Sequence, residues 1–123
     1  MARGAKMYEF DCKTVTIDDL REKTSEFSFK SDLNVDLHGF ATWFDVIFAG
    51  SDTSLTLSTS PKQDTHWAQT LFYFNAGEPV GQDDVIKGSI AFRRNAENHR
   101  AVNLDISFTI NDARSHSKSF IIK

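Results

Sequence analysis

Strict alternation of apolar and polar side chains near the carboxyl end of the chain is the feature that most restricts the fold. Apolar residues occupy every second position from Val102 to Ile110, and the residues between them are Asn, Asp, Ser and Thr. A period of two places the apolar side chains on one face of a β-strand and the polar ones on the other. The segment therefore predicts a strand with one wet face, which is typical of antiparallel sheets.

The rest of the chain repeats this character. Its 11 Phe residues lie in short runs with Val, Ile and Thr, separated by Gly-, Asn-, Asp- and Pro-containing turns, which favours strands over helices. The only helical signal is residues 16–21 (TIDDLR), where Thr16 can cap a single turn. We predict an all-β fold, an antiparallel β-barrel or sandwich with one short helical turn at most.

Three longer apolar segments predict the centre of the fold. They are residues 40–48 (FATWFDVIF), 67–74 (WAQTLFYF) and 85–92 (VIKGSIAF). In the first of them, Trp43, Phe44, Val46 and Phe48 are expected to lie in a central strand. On that expectation, truncating Phe44 or Phe48 to Ala would cost about 3 to 5 kcal/mol through lost burial and a cavity.

Composition limits the classes of function. The net charge of −3 offers no general field for nucleic acid or anionic lipid, so we expect no direct nucleic-acid partner. No apolar run approaches the roughly 20 residues that span a bilayer, and we expect no membrane partner. Cys12 is the only cysteine, which excludes an internal disulfide and fits a reducing compartment. Cytoplasm or nucleus is the expected location.

Few residues are arranged for chemistry. No glycine-rich loop follows a strand and opens a helix, so we expect no cofactor to bind to this chain. The paired carboxylates, at 18–19 and 83–84, fall where caps and turns are expected. The histidines lack the paired spacing of metal ligands, and we expect no metal site. They are His38, His66, His99 and His116.

One loop is a candidate site. In LSTSPKQDTHWAQTLFYF (residues 57–74) a strand leads through a polar loop to Thr65, His66 and Trp67 before the chain becomes apolar again. Neighbouring Trp and His at the mouth of a strand can place two amphipathic rings beside a ligand. The alternative is that Trp67 plugs the end of the barrel with a hydrogen-bonded His66 beside it.

Three segments carry a resemblance to a known family. They are HGFATWFDVIF (38–48), LSTSPKQDTHWAQTLFYF (57–74) and DDVIKGSIAFRRNAENHRAVNLDISFTI (83–110). In that order they resemble the carboxy-terminal barrel of the protein arginine N-methyltransferases, in which a Thr-His-Trp loop follows a Ser-Thr-Ser-Pro turn. Residues 1–25 are expected to be a lead-in segment with the first strand, and residues 26–123 the barrel of a single overall domain.

The resemblance implies roles for the loop. It implies a parent enzyme that transfers methyl groups from S-adenosyl-L-methionine to arginine-rich protein substrates, with the methyl-donor domain outside this chain as its partner. Thr65, His66 and Trp67 would contact substrate at the mouth of the active site. His66 would pair with an acidic residue of the other domain, and Trp67 would line the arginine pocket. The isolated chain would be inactive.

The subfamily is less clearly marked. Ala68 stands where the family often has Lys or Tyr, and Gln82 stands where a Gly is frequent. The Thr-His-Trp form itself is similar to that of enzymes making asymmetric dimethylarginine. The resemblance also implies that the parent is a homodimer.

A second function stays open on the residues alone. The chain could be a free-standing β-sandwich module that binds peptide or carbohydrate on exposed aromatic residues. Trp43, Trp67 and Tyr73 would form its binding platform.

Overall fold

A computed structural model describes residues 4–123, and residues 1–3 of the predicted lead-in lie outside the described part. Strands account for all of the regular secondary structure in that part. They are β1 (Glu22–Lys30), β2 (Val35–Thr42), β3 (Asp45–Ala49), β4 (Ser54–Ser58), β5 (Thr70–Val80), β6 (Val85–Arg94), β7 (Val102–Ile110) and β8 (His116–Ile122). Because β7 has the bounds that the alternation predicts, that prediction is confirmed.

The described strands form three hydrogen-bonded sheets and no closed barrel. One sheet has the order β1-β6-β7-β8, and the other two pair β2 with β5 and β3 with β4. The pairs β1–β6, β6–β7, β7–β8 and β3–β4 are all antiparallel. The prediction of an antiparallel all-β fold is therefore confirmed.

The chain divides into two compact units. Residues up to Leu37 together with Glu78–Lys123 form the first unit, and His38–Gly77 form the second. The first unit holds the four-stranded sheet, and the second holds the β3–β4 ribbon and the loop from β4 to β5. β1 crosses the predicted boundary between residues 25 and 26. The single-domain description stays a prediction.

The core of the first unit lies on one face of the four-stranded sheet. Leu104 is 0% exposed and Ile106 is 2% exposed, and Ile106 lies opposite Ile90 of β6. Gly88 lies opposite both Phe27 and Phe108, and a Cβ at Gly88 would collide with the carbonyl oxygen of Ser107. The same Cβ would lie 2.7 Å from Phe27 Cζ and 2.8 Å from Phe108 Cβ, so the close approach of these strands leaves no room for a side chain at this position.

A capped turn precedes β1, as the sequence predicts. The Thr16 hydroxyl accepts a hydrogen bond from the Asp19 N–H at 3.2 Å, and the Asp19 carboxylate accepts from the Thr16 N–H at 2.9 Å. This reciprocal pair is a capping box. The turn itself is closed by bonds from Leu20 N–H to the Ile17 carbonyl and from Arg21 N–H to the Asp18 carbonyl. The prediction of one short turn capped by Thr16 is confirmed.

The predicted central strand over residues 40–48 is wrong. The chain leaves β2 at Thr42 and enters β3 at Asp45, so Trp43 and Phe44 lie between two strands. Phe44 is 47% exposed and Phe48 is 56% exposed. β3 pairs only with β4 in a two-stranded ribbon, and a ribbon alone cannot bury the apolar side chains of both its faces. The large cost expected for truncating these residues no longer follows.

The turn before β6 links fold stability to pH. The Asn111 side-chain amide donates to Asp84 Oδ1 at 2.7 Å, and the Gly81 N–H donates to Asp84 Oδ2 at 2.7 Å. These bonds, the one from Asn111 first, lower the pKa of Asp84 below its usual range. The charged carboxylate is therefore favoured in the folded state.

We expect the stabilisation from Asp84 to disappear at low pH. A depressed folded-state pKa gives stability that is present above the unfolded value of about 3.9 and is lost as pH falls through the folded value. The urea midpoint of the wild-type chain should therefore exceed that of Asp84→Asn near neutrality, and the gap should close as pH approaches 2. A gap that is equally wide at every pH would contradict this role of the carboxylate.

Candidate functional site

The candidate loop connects β4 to β5 and comprises residues 59–69, here called the β4–β5 loop. Its first residue, Thr59, is 0% exposed. The Thr59 N–H donates to the Phe44 carbonyl at 3.0 Å, and the Thr59 hydroxyl donates to the same carbonyl at 2.9 Å. The Phe44 N–H donates in return to the Thr59 hydroxyl oxygen at 3.1 Å. The start of the loop is thus fixed to the residue that precedes β3.

A second bond fixes the end of the loop. The Gln69 side-chain amide donates to the Thr59 carbonyl at 2.9 Å. Thr59 and Gln69 are 10 positions apart, so this bond joins the two ends of the loop at its base. Within the loop, the Gln63 N–H donates to the Ser60 carbonyl at 3.0 Å and forms a turn. A surface loop with its ends held together in this way presents its middle residues from a defined base.

The structure brings the three predicted site residues together on that base. The Thr65 hydroxyl donates to the Trp67 carbonyl at 2.9 Å. The His66 and Trp67 rings meet edge-on, with centroids 5.8 Å apart and planes at 80°. His66 is exposed and Trp67 is 50% exposed. A half-exposed indole does not form a buried plug within the second unit, and both rings are exposed to solvent.

Sequence reasoning missed the support beneath Trp67. The Phe44 ring meets the Trp67 ring edge-on at a centroid distance of 6.2 Å and an angle of 72°, a favoured arrangement for aromatic pairs. Thr59 lies in the Ser-Thr-Ser-Pro turn, but the sequence does not show that Thr59 and Gln69 bond to the backbone or that the Phe44 ring contacts Trp67. The other available signal is that polar Gln69 interrupts the apolar approach to β5.

The other sequence candidates lie elsewhere in the fold. His116 stacks on Phe108 with ring centroids 4.9 Å apart, and its Nδ1 atom lies 3.2 Å from a Glu78 carboxylate oxygen. Both contacts are within the first unit, and they join β8 to Phe108 of β7 and to Glu78 of β5. Residues 4–123 hold no group of three or more His, Cys, Asp or Glu side chains that could bind a metal ion. The described part of the chain also has no helix long and apolar enough to cross a membrane.

Comparison with known families identifies the class of protein. The sequence profile of the family described as "Arginine methyltransferase oligomerization subdomain" matches residues 1–113. The chain therefore belongs to that family, and the resemblance seen in the sequence is confirmed.

Particular relatives are protein arginine N-methyltransferases. Protein arginine N-methyltransferase 6 of Danio rerio is 35% identical over 99% of this chain and 35% of its own length. Protein arginine N-methyltransferase 1 of Schizosaccharomyces pombe is 36% identical over 84% of this chain and 30% of its own length. The chain thus spans about a third of the length of the curated relatives it matches.

Solved structures share the fold. The Trypanosoma brucei PRMT1 enzyme-prozyme heterotetrameric complex with AdoHcy superposes with a TM-score of 0.89, at 24% identity, over 99% of this chain and 40% of that chain. Arabidopsis thaliana protein arginine methyltransferase 10 superposes with a TM-score of 0.88, also at 24% identity, over 99% of this chain and 39% of that chain. These similarities establish the architecture of the chain.

Proposed function

We propose that this chain is the substrate-positioning domain of an S-adenosyl-L-methionine-dependent protein arginine N-methyltransferase that forms asymmetric dimethylarginine. One observation carries the proposal beyond family membership. The β4–β5 loop is fastened at its base by Gln69 and Thr59 and presents exposed His66 and half-exposed Trp67 side by side. A rigid base with exposed rings suits a site that must hold a substrate in one orientation.

The two rings match the chemistry of an arginine substrate. A guanidinium is a planar, weakly hydrated cation that stacks on aromatic faces, and Trp is the strongest aromatic partner for a cation. The exposed part of Trp67 is therefore assigned to the wall of the arginine pocket. His66, with its ring edge against Trp67, is assigned to an ion pair with an acidic residue of the methyl-donor domain.

The parent protein is proposed to supply the methyl donor site and to assemble with other copies. The description of the family names an oligomerization subdomain, and the similar Trypanosoma brucei structure is a heterotetrameric complex with AdoHcy. We assign homodimer formation to the parent of this chain, and arginine-rich protein segments as its substrates.

A methyl-transfer assay tests the proposal. The longer protein that contains this chain is incubated with labelled S-adenosyl-L-methionine and a Gly- and Arg-rich peptide, and the same peptide with Lys in place of Arg is the matched control. We expect label in the arginine peptide alone and asymmetric dimethylarginine after acid hydrolysis. Label confined to symmetric dimethylarginine would overturn the product assignment, and no donor-dependent label from a folded protein would overturn the function.

The isolated chain should not bind the methyl donor. Nucleotide-type ligands are usually held by backbone N–H groups at a helix N-terminus and by a carboxylate on the ribose, and residues 4–123 contain no helix. The described residues therefore do not fit the donor. Calorimetric titration of the 123-residue chain with S-adenosyl-L-methionine should show no saturable heat, and micromolar binding would contradict the assignment.

A binding module is the second candidate, because its three platform residues are exposed. Trp43 is 38%, Trp67 is 50% and Tyr73 is 60% exposed. Such a module would act without a second domain. Saturable binding of the isolated chain to an oligosaccharide or an arginine-free peptide, with no methyl transfer by the longer protein, would favour it.

A further inference from the structure

The point where the β3–β4 ribbon meets the β4–β5 loop has an unusual hydrogen-bond pattern. Because Asp45 pairs with Ser58, Phe44 and Thr59 are the next pair along the ribbon. At the hydrogen-bonded positions of a regular antiparallel ladder, the two facing residues exchange two backbone hydrogen bonds. Here only the bond from the Thr59 N–H to the Phe44 carbonyl forms, at 3.0 Å. The Phe44 N–H donates instead to the Thr59 hydroxyl oxygen at 3.1 Å.

Because the Phe44 N–H donates to the Thr59 hydroxyl, the Thr59 carbonyl is left to accept a hydrogen bond from the loop. That carbonyl accepts from the Gln69 side-chain amide at 2.9 Å, two residues after Trp67. One hydroxyl can donate once and accept twice, so the Thr59 side chain both donates to the Phe44 carbonyl and accepts from the Phe44 N–H. Thr59 thereby connects Phe44, at the start of the ribbon, with Gln69 at the far end of the loop.

The ring of Phe44 then reaches the proposed substrate site. Its centroid lies 6.2 Å from that of Trp67, and Trp67 in turn meets His66 at 5.8 Å. The chain of contacts runs from a fully buried hydroxyl through Phe44 and Trp67 to His66. Neither Thr59 nor Phe44 needs to touch a substrate for a change in either to move the indole.

We infer that Thr59 and Phe44 are positioning residues that set the orientation of Trp67 for the arginine substrate. The effect on catalysis rests on the proposed function, whereas the orientation of Trp67 can be measured whether or not that function is correct. Thr59 acts through the backbone of Phe44, and Phe44 acts through its ring. Buried hydrogen bonds of this kind fix a side chain more closely than packing alone.

Two variants of Thr59 distinguish the effect of its hydroxyl group from the effect of its side-chain volume. Thr59→Val keeps the shape and removes both side-chain bonds to Phe44, whereas Thr59→Ser keeps the hydroxyl and is the matched control. The chain has 2 Trp residues, so a Trp43→Phe background leaves Trp67 as the only indole. In that background we expect Thr59→Val to weaken the near-ultraviolet circular dichroism of Trp67 and to increase its quenching by acrylamide. Thr59→Ser should restore both signals.

The longer protein provides the catalytic readout. Because a misplacement of about 1 Å can cost up to 100-fold, Thr59→Val should lower kcat by on the order of 10- to 100-fold, with a smaller change in KM. Thr59→Ser should stay within about twofold of wild type. If Thr59→Val fails to fold, Phe44→Leu tests the inference instead, because it keeps every backbone hydrogen bond and removes only the ring contact with Trp67. The same loss of Trp67 signal is expected from it.

The two readouts keep the inference and the proposed function apart. If the Trp67 spectrum is the same in wild type, Thr59→Val and Phe44→Leu, the inference is overturned whatever the activity. If the spectrum responds as expected but the folded wild-type protein transfers no methyl group, the proposed function fails and the positioning of Trp67 stands. A folded Thr59→Ser that behaves like Thr59→Val would also overturn the role of the hydroxyl.

Discussion

Truncating Leu104 to Ala is expected to remove about 2 to 5 kcal/mol from the free energy of unfolding, the usual cost of deleting a buried Leu side chain and leaving a cavity. Leu104 is 0% exposed and lies in β7, between β6 and β8 of the four-stranded sheet. For a domain of this size, that loss is a large share of the total stability. Urea denaturation followed by circular dichroism measures it directly.

Leu33→Ala is the matched control for Leu104→Ala. It is the same substitution in the same unit, at a position that is 50% exposed. We expect it to cost less than about 1 kcal/mol. Equal losses for the two variants would show that the core does not lie on the face of β7 that carries Leu104.

The four-stranded sheet was predictable because the pattern of apolar and polar residues in its strands shows which face is buried. β7 alternates strictly, and its three buried positions, Leu104, Ile106 and Phe108, are all apolar. Gly88 in β6 needed the structure to be understood, since the Phe27 and Phe108 atoms that crowd it come from two other strands. Periodicity identifies a face, whereas partners across a sheet depend on register.

The second unit shows where this reasoning failed. Phe44 and Phe48 lie in an apolar run that reads like a buried strand, yet both are about half exposed. An apolar run shows that burying its side chains is favourable, but it does not show whether another part of the chain covers them. The candidate loop was found from the neighbouring His66 and Trp67 after a polar loop, and the resemblance supplied their roles. Its support by Thr59 depends on hydrogen bonds between residues 15 positions apart.

In the longer protein, His66→Ala and Trp67→Ala are each expected to lower kcat/KM by about 5- to 150-fold, which corresponds to about 1 to 3 kcal/mol of transition-state stabilisation. Loss of His66 would remove the proposed ion pair across the domain boundary, and loss of Trp67 would widen the proposed arginine pocket. Steady-state methylation of an arginine peptide measures both effects.

His99→Ala is the control for the His66 variant. His99 is also an exposed histidine, in the connection between β6 and β7, and it has no proposed role in the site. Its removal should leave kcat/KM within about twofold of wild type. A loss as large as that of His66→Ala would show that the effect is not specific to the β4–β5 loop.

The central claim is that His66 serves the reaction and not the fold, and one paired measurement on His66→Ala tests it most directly. Because His66 is exposed, the variant should change the unfolding free energy of the 123-residue chain by less than about 1 kcal/mol. In the longer protein the same variant should lose kcat/KM by the amount given above. If His66→Ala instead unfolds the chain while the refolded longer variant methylates arginine at the wild-type rate, the histidine is structural and the account of this site is wrong.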